Sequence, residues 1–428
     1  MFSKFKVKSE FSRNVLTLMT GTTIAQAIPI AISPILTRIY TPEDFGVFAL
    51  YIGIVGFIAI IVTARYEMAI VLPKTDEAAI NIVALSFIIM LSIVTFITLA
   101  IFLFSEEILV LLNAKEVGNL LYLVPLSVFL SGLYQIFNYW ANRKKNFKTM
   151  SSSQIGQSVG VGIGQSGFGF IAINGGLIFG NLLGRFVSAF ILVKQFILED
   201  KQNLKNINKL EIIKQMKKHK DFPLVNSLHV LSEVTRISGS VILISSFFGT
   251  TILGFYALSL RILQIPMGII SAALGNVLYK KFVLMYNDGL SLYPLVKKII
   301  LYQLVVSIPI FTLLYLILPD LFRIIFGDAW KTAGEYSQLL LPYMFFGFIL
   351  SSLSEIPIIL GKQKLFFYIS LIGNIYVLLI ISVGDLLNIT IEDILKAISY
   401  GLSIEYLYLI VWILSLSKQI NKRDKECL

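Results

Sequence analysis

Twelve stretches of this 428-residue chain are apolar over the ~20 residues that an α-helix needs to cross a bilayer. They lie at approximately 11–37, 45–64, 78–104, 118–140, 149–171, 175–196, 222–247, 251–278, 293–318, 336–360, 365–384 and 391–417. Helices at these positions leave connecting segments of about ten residues each, too little for any sizeable domain outside the membrane. With 56% hydrophobic residues, 14% charged residues and a mean hydropathy of +0.81, the chain has far more apolar surface than a soluble core can use. The fold class expected is an all-α polytopic membrane protein. The first run continues past Pro29 and Pro34 to Arg38 without an Ala-x-Ala site, so it reads as an uncleaved first span.

Basic residues orient these spans. Of the 36 Lys and Arg, Arg185, Arg236 and Arg261 fall within spans, and Arg38, Lys115, Arg323, Lys331 and Lys396 fall in one set of loops. The remaining 28 lie in the opposite set and at both termini. Cytoplasmic loops are enriched in Lys and Arg, so both termini are expected inside. The formal charge of +11 is thereby explained without nucleic acid, since the aromatic residues sit in the apolar runs and not among the basic ones.

The longest polar stretch, 199–221, carries seven lysines between Lys201 and Lys220, interleaved with Leu204, Ile207, Leu210, Ile213 and Met216. It reads as an amphipathic linker at the inner headgroups. It divides the chain into an N-terminal six-helix bundle, 1–198, and a C-terminal one, 222–428. Short words repeat between the halves: Gly46-Val-Phe-Ala-Leu50 with Gly254-Phe-Tyr-Ala-Leu258, and Asn14-Val-Leu with Asn226-Ser-Leu. Six spans per copy make the two halves parallel bundles around a central cavity, an arrangement suited to alternating access.

The segment Leu36-Thr-Arg38-Ile-Tyr-Thr-Pro42-Glu-Asp-Phe-Gly46-Val-Phe, with Arg65-Tyr-Glu67-Met-Ala-Ile-Val-Leu-Pro73, Asp76-Glu-Ala78 and Ile325-Phe-Gly-Asp-Ala-Trp330, resembles the Wzx-type polysaccharide flippases of the multidrug/oligosaccharidyl-lipid/polysaccharide exporter superfamily. The resemblance extends over the chain in span number and spacing. It implies a monomer in a bacterial inner membrane that moves an undecaprenyl-diphosphate-linked oligosaccharide repeat unit from the cytoplasmic to the outer leaflet, a step of O-antigen, lipopolysaccharide or capsule synthesis. Membrane lipids, a polysaccharide polymerase and its chain-length machinery are the partners it implies. It also implies a cavity lined chiefly by spans 1, 2, 7 and 8, and it singles out Arg38, Arg65 and Glu67. Bottom-up, charges at helix ends are interfacial anchors by default, so gating and anchoring both remain open for these three.

Polar residues at helical spacing mark further candidates. Span 7 carries Asn226, His229, Glu233, Arg236 and Ser240 on one face, and span 8 carries Arg261, Gln264, Gly268, Ser271 and Gly275. Span 4 shows Ser127, Ser131, Gln135 and Asn138; span 10 shows Gly347, Ser351 and Glu355. Charges at mid-span cost ~2.5–3.5 kcal/mol each on the translocon scale unless paired or wet. Two readings follow: a hydrophilic cavity in which arginines grip phosphate oxygens, or interhelical ties, with Glu233 and Arg236 neutralising each other. Arg261 has no acid on its stripe and favours the cavity. Arg185 follows Gly176, Gly180 and Gly184, facing Gly156, Gly160 and Gly164 of span 5. That spacing is the packing signature of membrane helices, while Arg185 remains a cavity candidate with Glu355 or Glu405 as possible partners.

Two histidines and a single Cys427 offer no triad, disulfide framework or metal cluster, and no phosphate-loop motif is present. An enzyme is therefore not expected, nor any cofactor beyond a coupling proton or sodium ion, for which Glu233 is the best-placed carboxylate. A cation-coupled drug exporter of the same superfamily and a non-transporting scaffold of a glycan-assembly complex are the competing functions. The orientation has a direct check. In a chain with Cys427 replaced, a cysteine at Asn174 is expected to react with an impermeant reagent in intact cells, and one at Asn208 only in inverted vesicles; labelling of Asn208 from outside overturns the orientation.

Overall fold

The computed structural model describes residues 10–223 and 227–418, with backbone alone at 10–16, 227–229, 265, 266, 269–277 and 280; every regular element among them is helical. The helices of 18 residues or more are α1 (Glu10–Ile39), α2 (Pro42–Ala59), α3 (Asp76–Leu111), α4 (Val124–Arg143), α5 (Phe147–Phe170), α6 (Gly176–Glu199), α7 (Ser227–Phe248), α8 (Thr250–Asn287), α9 (Tyr293–Phe326), α10 (Lys331–Ser351), α11 (Gln363–Leu386) and α12 (Ile391–Leu416). Among the residues whose side chains are described, ten helical regions are long and apolar enough to cross a membrane, and α5 is not one of them. The all-α membrane protein read from the sequence is borne out.

By packing, the chain divides after Ser246 into two compact units. Helix α7, placed by the sequence reading at the start of the second bundle, is grouped with the first unit, where Gly53 of α2 gives it room. A Cβ at Gly53 would lie 3.1 Å from Val241 Cγ1.

The first unit is knitted by small residues. Gly160 and Gly164 of α5 meet Gly184 and Gly180 of α6 so closely that a Cβ at Gly164 would stand 2.7 Å from the Gly180 Cα. Helices approach in this way when the side chain is removed from the contact, which replaces hydrophobic drive with backbone van der Waals packing. The polar residues that make α5 poorly apolar turn toward α1. Ser151 Oγ donates to the Thr17 carbonyl at 3.1 Å, Thr22 Oγ1 donates to Gln154 Oε1 at 2.7 Å, and Ser158 Oγ donates to the Ala25 carbonyl at 2.7 Å. The last bond has a specific cause. Pro29 lies inside α1 and lacks the N–H that would have bonded Ala25, so Ser158 replaces a helical donor.

Helix α2 begins with a reciprocal cap. Thr41 Oγ1 accepts from the Asp44 N–H at 3.2 Å, Asp44 Oδ2 accepts from the Thr41 N–H at 2.8 Å, and Pro42 occupies the first turn. The Thr-Pro-Glu-Asp words of the family motif thus encode a helix start. The linker is tied to one end of the same unit. Its helix, Lys209–Lys218, follows Asn208, whose N–H donates to Asn81 Oδ1 at 2.8 Å, while Asn81 Nδ2 donates to the Asn206 carbonyl at 3.0 Å. Trp140 Nε1 donates to Asp200 Oδ2 at 2.9 Å, and Lys144 bridges Asp200 at 3.0 Å to Asp76 at 2.5 Å. Burial works against the Lys144 cation, but the hydrogen bonds to the two aspartates outweigh it and hold the ammonium above its usual range.

In the second unit, a core of Phe282, Leu292, Val296, Ile349, Leu353 and Ile413 joins the ends of α8, α9, α10 and α12. Span 10 is broken where the sequence suggests continuity: α10 stops at Ser351, a turn follows, and a short helix resumes at Ile356–Ile359 with Pro357 in its first turn. Pro357 has no N–H to give the Leu353 carbonyl, which accepts instead from the Ile356 N–H at 3.0 Å in a tighter turn. Between α11 and α12, a Cβ at Gly373 would fall on the Glu405 carboxylate, so Glu405 is packed at a helix–helix contact.

The glycine contacts carry a prediction. A Cβ at Gly184 would lie 2.6 Å from the Gln157 carbonyl oxygen and 2.8 Å from the Val161 nitrogen, backbone atoms that no rotamer change relieves. Gly184→Ala is expected to destabilise the purified protein by ~1–3 kcal/mol, read as a lower melting temperature in detergent. Gly167→Ala, which would meet nothing within 4 Å, is the control expected to leave it unchanged.

Candidate functional site

Polar residues in the spans fall into two groups, one packed inside the first unit and one left open. The packed group is built on α2, α4 and α6. Tyr51 OH and Ser127 Oγ share a hydrogen bond of 2.7 Å, Ser131 Oγ donates to the Ser127 carbonyl at 2.7 Å, and Arg185 Nη1 donates to Ser131 Oγ. Arg185 Nε donates to Asn181 Oδ1 at 2.8 Å, one helical turn away on α6. Gln135 Nε2 caps the freed carbonyl of Ala59 at 3.1 Å, where α2 ends. The stripe of span 4 is therefore an interhelical tie. Arg185 sits among hydroxyls and an amide, with no ion pair among the described residues. Sequence reasoning missed Tyr51, which hides in an apolar run, and Asn181, whose four-residue spacing to Arg185 is a usable signal.

The open residues lie separately, on α7 in the first unit and on α8 in the second. On α7, Ser238 and Val241 turn toward α2, and at 100° per residue Glu233, Arg236 and Ser240 lie about 140° around the helix from that contact. Glu233 is exposed, Arg236 is half-buried and Ser240 is buried with a hydroxyl that finds no partner among the described residues. No ion pair joins Glu233 to Arg236 among the described residues. Their mutual neutralisation, one of the two sequence readings, is not formed, although three residues is a spacing at which helical charges can meet and at which Glu211–Lys214 and Asp320–Arg323 do pair. Asn226 and the side chain of His229 lie outside the described residues. On α8, Arg261 is surrounded by protein at depth yet keeps part of its surface open, and it makes no hydrogen bond or ion pair among the described residues. One turn on, Gln264 is exposed and a Cβ at Gly268 would meet nothing within 4 Å. The described part of this stripe is an unpacked polar face, with one guanidinium available to an anion.

Glu355 sits in the turn that breaks span 10, half-buried and without an ion pair among the described residues. Arg38 is exposed at the end of α1, where Nη1 reaches the Pro34 carbonyl at 3.4 Å. Arg65 and Glu67 are brought together beyond the end of α2. Arg65 Nη1 stands 3.7 Å from Glu67 Oε1, and Thr63 Oγ1 donates to Glu67 Oε2 at 2.5 Å. Ala64 and Arg65 hold φ of 48° and 62°, left-handed values that cost non-glycine residues energy. They turn the chain so that Glu67 is 1% exposed. Burial pushes the Glu67 carboxyl up, against the pull of Thr63, its own backbone and Arg65.

This architecture recurs in solved structures. An inward-facing multidrug resistance MATE family transporter of the MOP superfamily aligns over 95% of both chains with a TM-score of 0.58 at 15% identity. A mutant of the Vibrio cholerae MATE transporter VcmN aligns over 96% of each chain at 0.57 and 16%. A MOP superfamily transporter from Pyrococcus furiosus, whose binding pocket is described as having reverse polarity, aligns over 96% of each at 0.51 and 14%. By sequence, the succinoglycan biosynthesis transport protein ExoT of Rhizobium meliloti is 25% identical over 260 residues, 60% of this chain. The chain aligns with about half the length of that relative. The model of a family described as polysaccharide biosynthesis protein matches residues 35–335. The MOP-superfamily architecture and the saccharide-linked family read from the sequence motifs are thus borne out, and the chain belongs to the polysaccharide biosynthesis protein family.

Proposed function

We propose that this membrane transporter moves an undecaprenyl-diphosphate-linked oligosaccharide from the cytoplasmic to the outer leaflet of a bacterial inner membrane by alternating access of its two helical bundles, with both termini in the cytoplasm. The observation that carries this reading is the Arg261 guanidinium, set deep on an open polar face of α8 with no acid beside it among the described residues. An uncompensated cation in a low-dielectric setting favours an anionic ligand and disfavours the cationic compounds that a drug exporter would carry. A diphosphate offers oxygens to a planar fork, and Gln264, one turn along, suits sugar hydroxyls. The family membership and the relative named for succinoglycan transport point to saccharide cargo.

The competing functions separate in a deletion strain. The expected outcome is loss of surface polysaccharide with lipid-linked repeat units accumulating on the cytoplasmic side. Unchanged glycan with altered drug tolerance reverses the reading, and unchanged membrane distribution of the lipid-linked glycan with loss of assembly favours a scaffold. In the complemented strain, Arg261→Lys is expected to lower export about tenfold or more, because a lysine keeps the charge and loses the two-point hydrogen bond. Normal export by Arg261→Ala at normal expression removes this residue from the site.

For the driving force, the reading assigns proton or sodium coupling to Glu233, which is exposed and has no ion-pair partner among the described residues. In reconstituted vesicles with an imposed pH or sodium gradient, wild type is expected to follow the gradient and Glu233→Gln to lose that dependence. Transport that ignores both gradients leaves the membrane potential, worth ~2.3 kcal/mol per charge per 100 mV, as the remaining electrical source.

A further inference from the structure

Beyond Ala59, where α2 ends, the backbone is held in a conformation that costs energy, and the residues it positions are two charges. Ala64 and Arg65 are consecutive non-glycine residues with φ of 48° and 62°, and the tight helix Tyr66–Val71 follows directly. Strain of this kind persists only where the surroundings fix it, and it gathers at sites that bind or switch. The fixing contacts all fall within the first unit. Gln135 of α4 holds the Ala59 carbonyl, Arg143 of α4 holds the Ile70 and Pro73 carbonyls at 3.2 and 2.6 Å, and Tyr66 OH donates to the Met216 carbonyl of the linker helix at 3.2 Å.

The guanidinium placed in this way is poorly used. Of its five donors, one on Nη2 reaches the Met68 thioether at 3.1 Å, a weak acceptor, and Nε is buried with no partner among the described residues. Nη1 stands 3.7 Å from Glu67 Oε1, beyond hydrogen-bond length. Glu67 has closer partners in Thr63 Oγ1, at 2.5 Å, and its own N–H. The Arg65 side chain is 18% exposed and that of Glu67 1%, so the cation is open to the outside and the acid is not. The elements packed on this segment bring no second counter-charge to Glu67 among the described residues. Tyr139 of α4 faces both charges. Arg143 of α4 and Asp76 at the start of α3 pair with each other at 2.9 Å. The linker helix places Lys217 and Lys218, both exposed, and His219, buried, next to Met216.

We propose that this turn receives the diphosphate of the lipid-linked cargo on the side that the basic-residue bias assigns to the cytoplasm: Arg65 leaves Glu67 for a phosphate oxygen, and Glu67 takes up one proton as it does. The inference rests on the reading of a lipid-linked diphosphate cargo and adds to it a reception site and a proton. Atoms and charge balance. A carboxylate and a proton from cytoplasmic water give a carboxylic acid, while the guanidinium keeps its charge and changes partner. Burial already pushes the Glu67 carboxyl up, against Thr63, its own backbone and Arg65, so withdrawing Arg65 removes one of the groups that keep the proton off. Left ionised at 1% exposure without its cation, Glu67 would be a buried unpaired charge, which protonation relieves. The neutral acid keeps its bond to Thr63, whose hydroxyl accepts as readily as it donates. Lys217 and Lys218 raise the local concentration of a multiply charged anion, and the planar fork of Arg65 suits phosphate oxygens. A neutral or cationic ligand has no hold on Arg65 and takes up no proton at Glu67. This proton enters and leaves with the headgroup and is separate from the gradient coupling assigned to Glu233.

The test titrates the full chain in detergent with undecaprenyl diphosphate, by calorimetry in buffers of different ionisation heat, which counts the protons taken up on binding. Wild type is expected to take up more than Glu67→Gln, the difference being the Glu67 proton, since the ligand's own titration is common to both. Binding raises the Glu67 pKa, so wild-type affinity is at its full value below the unbound pKa. It falls by at most about tenfold per pH unit between the unbound and bound values and levels off above them. Glu67→Gln lacks this fall and binds at least as tightly. Arg65→Asn, a side chain that tolerates the left-handed backbone, is expected to weaken binding about tenfold or more, the worth of one charge-assisted hydrogen bond. Ala64→Gly relieves strain, keeps both charges, and is expected to retain the binding and the proton, which guards against a folding artefact. Equal proton uptake by wild type and Glu67→Gln, unchanged affinity in Arg65→Asn, or equal binding of undecaprenol or phosphatidylglycerol overturns the proposal. Inorganic diphosphate that matches undecaprenyl diphosphate in affinity and proton uptake assigns the turn to a soluble anion and overturns it as well. If the chain restores surface glycan in the deletion strain while these signatures are missing, the reception site falls and the cargo stands. If deletion leaves lipid-linked glycan unaffected, both fall.

Discussion

Every backbone polar group placed in hydrocarbon must find its partner within the protein, and that constraint organises this structure more than apolar burial does. Lipid is as good a solvent for leucine as another helix is, so specificity comes from what lipid cannot satisfy. The prolines make this visible. Pro29 leaves the Ala25 carbonyl without a helical donor, and Ser158 of α5 supplies one. Pro319 of α9 does the same to the Tyr315 carbonyl, where Gln338 Nε2 of α10 donates at 2.7 Å. At the end of α2, Gln135 serves Ala59. In each case a break in one helix is repaired by the side chain of another, and the repair fixes which helices are neighbours.

The same constraint separates the arginines within the spans. Arg185 is embedded among Ser131 and Asn181, with Tyr51 nearby, and its hydrogen-bonding capacity is partly used. Arg236 and Arg261 make no such bonds among the described residues and retain accessible surface. A cation whose donors are taken by fixed neutral groups shapes the local field. A cation with free donors and open surface is a place where an anion can replace lost water.

What the sequence shows and what it hides follow from the range of each interaction. Spans are legible because hydropathy is summed over ~20 residues, and the glycine words of α5 and α6 because close helix contact demands small residues at a four-residue period. Helix breaks are less legible. The end of α10 at Ser351 depends on Pro357 six residues later and on the packing of Leu353 and Ile356 in the core. The burial of Glu67 is illegible, since it requires two consecutive left-handed residues, Ala64 and Arg65, that have no glycine to announce them. The Glu233–Arg236 pair shows the opposite error, where suggestive spacing does not become contact. The span 4 stripe, periodic enough to suggest a cavity, is spent on ties to α2 and α6, because periodicity fixes which residues share a face and leaves open what that face meets.

Helix α5 illustrates a consequence for how the chain is assembled. Its Ser151, Gln154 and Ser158 are matched by α1, and its Gly160 and Gly164 by α6. Taken by itself, the segment is too polar to partition from the translocon as an isolated helix. It therefore depends on its neighbours at the moment of synthesis: α1 has to wait in the bilayer near the exit site, and α6, joined to α5 by the short turn at 171–175, has to enter with it as a hairpin. The order in which the ribosome delivers these helices is, for α5, part of the folding code.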